Sequence, residues 1–369
     1  MTFRTLHLAA AAALAALVPS VAAPAQTPPA PWTISPAKVD RADSIKILVL
    51  YDMEGLSGVD NPTSFLFGDP DYPEAQNRLV ADVNAVVDGL FKGGATAVDV
   101  VDAHGSGNQA PDLSPDRLDP RAVFVRRDTS FDPYIALSKA GAYDAVAVVG
   151  MHAKNGSLGF AAHTYTIGVD LSLDGRNITE TEIVALSFGE VGIPVIFAAG
   201  DDKLRKDLSG MPWLHYVEVK QSTDARTAKL VPVEAVHKAM VEEAAAAVRG
   251  LESAKLMKLD APAEVTVKAI PPANLAVLEG FPGIDYRDNS VTFRADNFHD
   301  AYRGAMPIIR VLAMSLRDPT FSALRTMPGG AEIMAAGQRQ LVKDWMDAES
   351  GRPPAPLAPR PPRTEYGVH

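Results

Sequence analysis

The sequence predicts an α/β fold: a mostly parallel sheet flanked by helices in a three-layer αβα arrangement, with a second, smaller α+β lobe. Three observations carry this reading. Short continuous apolar runs, the mark of strands buried on both faces, recur between residues 46 and 201. Stretches with apolar residues at helical spacing alternate with them, as βαβ units require. Most of these runs close on Asp, His or Gly, at the edge of a parallel sheet where ligands bind.

The elements follow in order. "KILVLYD" (46–52) reads as the first buried strand. The next segment, "PEAQNRLVADVNAVVDGLFKGG", places Leu79, Val83, Val86, Val87 and Leu90 on one helical face. Pro73 suits its first turn, and Gly93 and Gly94 end it. "TAVDVVDA" (96–103) and "RAVFVR" (121–126) read as strands, "DPYIALSKAGA" as a helix, and "YDAVAVVG" (143–150) as another strand. "TETEIVALSFGEVG" is helical with Thr179 as N-cap, and "IPVIFAAGD" (193–201) is again a strand. Beyond residue 205 the pattern is less regular: a helix within "TAKLVPVEAVHKAMVEEAAAAVRGL", strands in "AEVTVKAI" and "NSVTFRA", and a helix in "DAYRGAMPIIRVLAMSLR". "AEIMAAGQRQLVKDWMD" is amphipathic, with Ile333, Met334, Leu341, Val342 and Trp345 at helical positions.

The ends differ in character. Arg4, an apolar run from Leu8 to Val18 and small residues after it have the pattern of a secretory signal peptide, with "APA" (23–25) as the cleavage site. An uncleaved anchor is the alternative, and the run is short for a membrane span. The expected location is therefore periplasmic or secreted, with no stable membrane anchor. The expected division is a leader (1–25), a Pro-rich linker (26–44), a metal-binding α/β domain (45–204), the second lobe (205–320), a C-terminal helical extension (321–350) and a Pro-rich tail (351–369).

Composition narrows the chemistry. The 369 residues are 47% hydrophobic and carry a net charge of −10, ample for a large core and without the basic run that nucleic-acid binding needs. There is no cysteine, so any metal site must be built from His, Asp and Glu. Asp52 and Glu54 follow the first strand, Asp102 and His104 the second, His152 the "AVAVVG" strand, and Asp201 and Asp202 the "VIFAAG" strand. Four strands thus direct acids or histidines to one sheet edge. Any of these acids alone would be read as a turn cap. Together, mixed His and carboxylate groups suit Zn²⁺ or another borderline divalent ion, and one carboxylate can bridge two ions. His163, eleven residues beyond His152, lies in a loop able to turn back over the same edge. Glu180 and Glu182 share a first helical turn, where acids favour the helix dipole. They point about 200° apart, so at most one faces the site.

"YDMEGLSG", "VVDAHGSGN", "VVGMHAKNG", "AAHT", "DGRNITETEIVAL" and "GIPVIFAAGDD" occur in an order and spacing that resembles the DppA-type zinc D-aminopeptidases, from about Lys46 to Arg317. The later "VTFRADNFHDAYRGAMPIIRVLA" is similar to that family's C-terminal strand and helix. The resemblance implies two zinc ions per subunit, bridged by Asp52, with Glu54, His104, His152 and Glu180 as the other ligands. It implies a catalytic role for His163. Glu180 takes the ligand position because it lies four residues after Arg176; a register slip of two would put Glu182 there. The resemblance further implies a two-lobed subunit, a ring-like homo-oligomer with enclosed active sites, and short peptide substrates with an N-terminal D-residue such as D-Ala. The leader and the extension beyond residue 318 depart from the family pattern. Aminopeptidase action on L-peptides, phosphate-ester hydrolysis and non-enzymatic solute binding are the alternative functions.

Overall fold

The computed structural model describes residues 29–39, 44–108, 110–127, 133–271, 273–282, 284–315, 324 and 326–352. The expected leader lies outside these residues, as does the tail from 353 onward. Among the described residues no helix is long and apolar enough to cross a membrane.

The chain runs β1 (Trp32–Pro36), β2 (Lys46–Tyr51), α1 (Tyr72–Gly93), β3 (Ala97–Asp102), β4 (Val123–Val125), α2 (Pro133–Ala136), β5 (Ala145–Met151), β6 (Val169–Leu173), β7 (Arg176–Asn177), α3 (Glu180–Glu190), β8 (Val195–Asp201), α4 (Asp202–Asp207), β9 (His215–Asp224), β10 (Thr227–Leu230), α5 (Val233–Arg249), β11 (Lys255–Leu259), β12 (Ala263–Ala269), β13 (Asp285–Arg287), β14 (Ser290–Ala295), α6 (Phe298–Ser315) and α7 (Gly330–Glu349). A seven-stranded sheet has the order β10-β9-β8-β5-β2-β3-β4. Every pairing in it is parallel except that of the edge strand β10 with β9. A five-stranded antiparallel sheet has the order β13-β14-β12-β6-β7. The mostly parallel sheet with flanking helices is therefore the observed architecture.

The apolar runs are buried on both faces because the sheet separates two cores. Ile47, Val49 and Tyr51 of β2 pack with α1 and α5, whereas Leu48 and Leu50 pack with α3, the second sheet and α6. Alternation along one strand thus feeds both layers. From β2 the chain winds outward through β3 and β4, then returns to the other side of β2 with β5, β8 and β9. The reversal lies between β2 and β5, and the crevice above such a switch point is where ligands bind in open α/β sheets.

Three expectations change. The segment read as a linker contains a strand: β1 pairs antiparallel with β11, and Trp32 is buried under the Arg176 guanidinium. That order comes from a partner more than 200 residues away, which no local pattern displays. The two sheets do not divide at residue 205. β9 and β10 extend the parallel sheet, while β6 and β7, before that point, belong to the second sheet. The helix expected in "DPYIALSKAGA" is a single turn, α2, because Ser138 turns its N–H and hydroxyl back onto the Ile135 carbonyl.

At the switch point the backbones of the β2 turn and β5 touch. The Asp52 N–H donates to Val149 O and the Gly55 N–H to Gly150 O, each at 2.8 Å. Gly150 has φ +74°, and a Cβ there would lie 2.1 Å from the Asp52 carbonyl oxygen. Gly150→Ala is therefore expected to destabilise the fold by about 3 kcal/mol, since strain and overpacking combine. Urea denaturation of both proteins measures this.

Candidate metal centre

Strand ends build the cluster. β2 ends at Tyr51, so Asp52 and Glu54 emerge in the tight turn above the sheet. β3 ends at Asp102, and His104 follows. His152 follows β5 at the other side of the switch point. Glu180 opens α3, while the loop after β5 brings in His163. Asp52, Glu54, His104, His152 and Glu180 are all buried. Their ligand atoms fall into three overlapping groups: Asp52–Glu54–His104, Asp52–His152–Glu180 and Glu54–His152–His163. Within each group these atoms lie within 4.8 Å of one another.

The three imidazoles are held by the same device. His104 Nδ1 bonds Asp112 at 2.9 Å, His152 Nδ1 donates to Ala153 O at 3.0 Å, and His163 Nδ1 donates to Ala161 O at 2.8 Å. An acceptor on Nδ1 fixes the proton there and leaves the Nε2 lone pair for the centre. His104 Nε2 lies 3.4 Å from Glu54 Oε1. His152 Nε2 lies 3.4 Å from Asp52 Oδ2 and 3.5 Å from Glu180 Oε1. It is buried and has no hydrogen-bond partner. An imidazole nitrogen left unpaired between two carboxylates fits a divalent cation, and the all-oxygen-and-nitrogen donor set suits zinc among others. His163 stacks on His152 with ring centroids 4.1 Å apart.

Electrostatics agree. Burial pushes Asp52 well above the usual carboxylate range, and Glu54 beside it adds to the rise. Burial would also raise Glu54, but the surrounding histidines, His104 first, hold it well below its ordinary value. Glu180 is held at about 2 against its burial, chiefly by His152. His104 and His152 are raised: burial opposes their charge, but Glu54 and Asp112 outweigh it at one, and Asp52 and Glu180 at the other. Burial and neighbouring His152 lower His163. Both of these imidazoles are thus pushed toward their charged form by the carboxylates around them, the mark of a site that draws positive charge.

Glu180 rather than Glu182 reaches this centre. Its carboxylate accepts from the Tyr134 hydroxyl at 2.7 Å and the Tyr165 N–H at 2.6 Å. Glu182 turns away into a capping box with Thr179 and lies near Arg176. The fourth strand's acids are not in the cluster either. Asp201 caps α4 and accepts from Phe160 N–H and the Ser222 hydroxyl, while Asp202 accepts from Ser222 N–H. They are pins for the His163 loop. Asp102 accepts from the backbones of His104 and Asp112.

Several residues that shape the site carry no signal in the sequence. Asp112 sits in the irregular "APDLSPDR" and holds His104, with Ser106 and Tyr72 hydroxyls donating to the same carboxylate. Lys220, fully buried on β9, donates to the carbonyls of Glu54 and Val59 at 2.9 and 2.6 Å. Burial brings its pKa down to about 8. A lysine in a strand offers no hint that its ammonium secures a turn 166 residues away in sequence.

A parallel α/β sheet whose switch point carries a buried, cation-seeking set of carboxylates and imidazoles is the framework of a metal-dependent hydrolase. The chain matches the peptidase M55, D-aminopeptidase, family over residues 45–306, and it belongs to that family. It is 26% identical over 278 residues to the D-aminopeptidase of Bacillus subtilis (strain 168), across 73% of this chain and 98% of that protein. Its fold is similar to that of the solved "Zn-dependent D-aminopeptidase DppA from Bacillus subtilis, a self-compartmentalizing protease", with TM-score 0.66, 22% identity and coverage of 73% of this chain and 98% of that one. The protein is thus an enzyme, a metallopeptidase. The family match stops at residue 306, inside α6, so α7 lies beyond it.

Asp112→Asn keeps the shape beside His104 but weakens the acceptor that sets its tautomer. Metal affinity is expected to fall about 10- to 100-fold, as for other carboxylates behind a ligating histidine. Competition with a chromogenic chelator reads this directly.

Proposed function

We propose that this protein is a dinuclear zinc aminopeptidase that removes an N-terminal D-residue, such as D-Ala, from short peptides. One observation carries the reading: the Asp52–Glu54–His104 and Asp52–His152–Glu180 groups share Asp52 and nothing else. That is the pattern of two cation sites bridged by one carboxylate. When bound, the ions supply Lewis acidity, polarising the scissile carbonyl and acidifying the attacking water.

The chain's own groups do the rest. The free α-amino group of the substrate would sit near a carboxylate of the cluster or a bound zinc. His163 is the most open of the three imidazoles, its side chain 12% exposed against 6% for His104 and 1% for His152. Its Nε2 lies 4.0 Å from Glu54 Oε1 and 3.8 Å from Glu180 Oε1. With Nδ1–H tied to Ala161 O and the ring kept neutral, Nε2 is free to take a proton as water adds to the carbonyl. It then delivers that proton to the departing amine nitrogen as the C–N bond breaks. Tyr134 and the Tyr165 backbone keep Glu180 oriented throughout.

Family membership removes solute binding as the reading. Export, expected from residues 1–25, would bring the enzyme to peptidoglycan-derived peptides that carry D-Ala. Self-association is carried over from the Bacillus subtilis relative described as self-compartmentalizing.

The decisive experiment is a substrate panel on zinc-loaded protein: D-Ala and L-Ala p-nitroanilides, D-Ala-D-Ala and a phosphate monoester. The D-Ala compounds are expected to turn over; hydrolysis of none, with the metal bound, overturns the proposal. His163→Ala should lower kcat by about 10²- to 10⁴-fold and keep its metal. His104→Ala and His152→Ala should lose it.

Metal uptake is also expected to depend on pH. His104 and His152 have raised pKa values in the cation-free protein, so binding must displace their protons. Affinity therefore falls as the pH is lowered through the neutral range and rises toward their pKa values. Calorimetric titration in buffers of different ionisation enthalpy should show net proton release; none would contradict this balance.

A further inference from the structure

The loop that carries His163 holds three residues with side chains in the left-handed region: Leu158 (φ 56°), Ala161 (φ 54°) and Tyr165 (φ 71°). Such conformations persist only where the surroundings over-determine them. Part of the restraint comes from the family core. Phe160 N–H bonds Asp201 and Ser222, Ala161 N–H donates to Ala225 O at 2.9 Å, and Tyr165 N–H donates to Glu180.

His163 N–H also donates to Ala153 O at 3.2 Å and the Thr164 hydroxyl to Ile178 O at 2.9 Å. Further restraint comes from α7, which the family match does not include. Apart from Gly330 at its start, the buried residues of this helix, Val342, Trp345 and Met346, lie in its second half; Ile333 in the first half is 57% exposed. The buried half lies on the His163 loop. The Trp345 indole N–H donates to the carbonyl of Ala162, the residue before His163, at 3.4 Å. The Glu349 carboxylate accepts from Gly156 N–H at 2.5 Å, at the loop's other end. Asp347 pairs with Arg226, and the Ser350 hydroxyl accepts from Ala225 N–H, on the β-turn against which Ala161 leans. An added helix whose polar contacts fall on one strained loop and on the turn that supports it does more than cover apolar surface.

We propose that α7 is a positioning element for His163, acting through Trp345 and Glu349, so that turnover in this enzyme depends on a segment outside the family core. The inference rests on the catalytic role of His163 proposed above. A displacement of about 1 Å at a reacting group can cost up to 100-fold in rate. Losing one of the two contacts that α7 makes with the loop is therefore expected to cost about tenfold.

The test uses the full-length, zinc-loaded enzyme with D-Ala p-nitroanilide. Trp345→Phe keeps an aromatic ring but removes the N–H, and Glu349→Ala removes the acceptor. Each should lower kcat about tenfold, with KM within about twofold and metal content unchanged. Glu349→Gln, which keeps a carbonyl acceptor, should recover most of the rate. Combined with His163→Ala, Glu349→Ala should change the residual rate by less than about twofold, because no imidazole remains to be misplaced. A purely structural helix gives the opposite pattern: melting temperatures fall, kcat is unchanged, and this inference is overturned. A full tenfold loss persisting in the His163→Ala background overturns it too. Either failure leaves the catalytic reading intact if His163→Ala alone is inactive. Wild-type kcat in His163→Ala would sink that reading and this inference together. Melting curves show which variants fold; either Trp345→Phe or Glu349→Ala alone suffices for the comparison.

Discussion

Three carboxylates are buried together at one sheet edge, and the ion-pair partners of Asp52, Glu54 and Glu180 among the described residues are histidines. Burying like charges side by side is costly unless a counter-charge is built in. Imidazole is the one side chain here that can supply a proton when the site is empty and a lone pair when it is filled. The surrounding structure serves this exchange. Each Nδ1 is tied to oxygen, each Nε2 faces inward, and the β2 turn is pressed against β5 by two backbone hydrogen bonds.

The supports form a graded series around that centre. Asp112 acts on one ring, Tyr134 on one carboxylate, and Lys220 on the backbone of the turn that carries Glu54. Asp201 and Asp202 act a step further out, on the loop and on the strand it leans against. They stand at the end of a parallel strand as the binding residues do, yet their oxygens are taken up by α4, Phe160 and Ser222. A strand-end acid is a ligand candidate only while its lone pairs are unclaimed.

This marks what a sequence can and cannot disclose. The buried strands and their order of appearance were legible because an apolar run flanked by helical spacing has few other uses. The convergence of Asp52, His104 and His152 followed from strand ends alone, since parallel strands must deliver their carboxyl ends to one edge. Glu180 against Glu182 was decided by helical geometry only to the extent that both could not face inward. Asp112, Lys220 and β1 were invisible because each depends on a tertiary partner rather than on its neighbours in the chain. The interleaving of the sheets was invisible for the same reason: β6 pairs with β12 some 90 residues later, although β5 and β8 on either side of it share the other sheet.

That interleaving also sets the order in which the protein can be made. Asp52, Glu54 and His104 leave the ribosome early, but the hairpin of β6 and β7 separates His163 from Glu180 and waits for β12 before it has its sheet. Pairing across such distances is slow relative to local structure. The cluster is consequently completed late in synthesis, so a partly made chain carries the first cation-seeking groups without the histidine and carboxylate that finish the set. Topology alone thus ties completion of the cluster to a chain extended at least as far as β12.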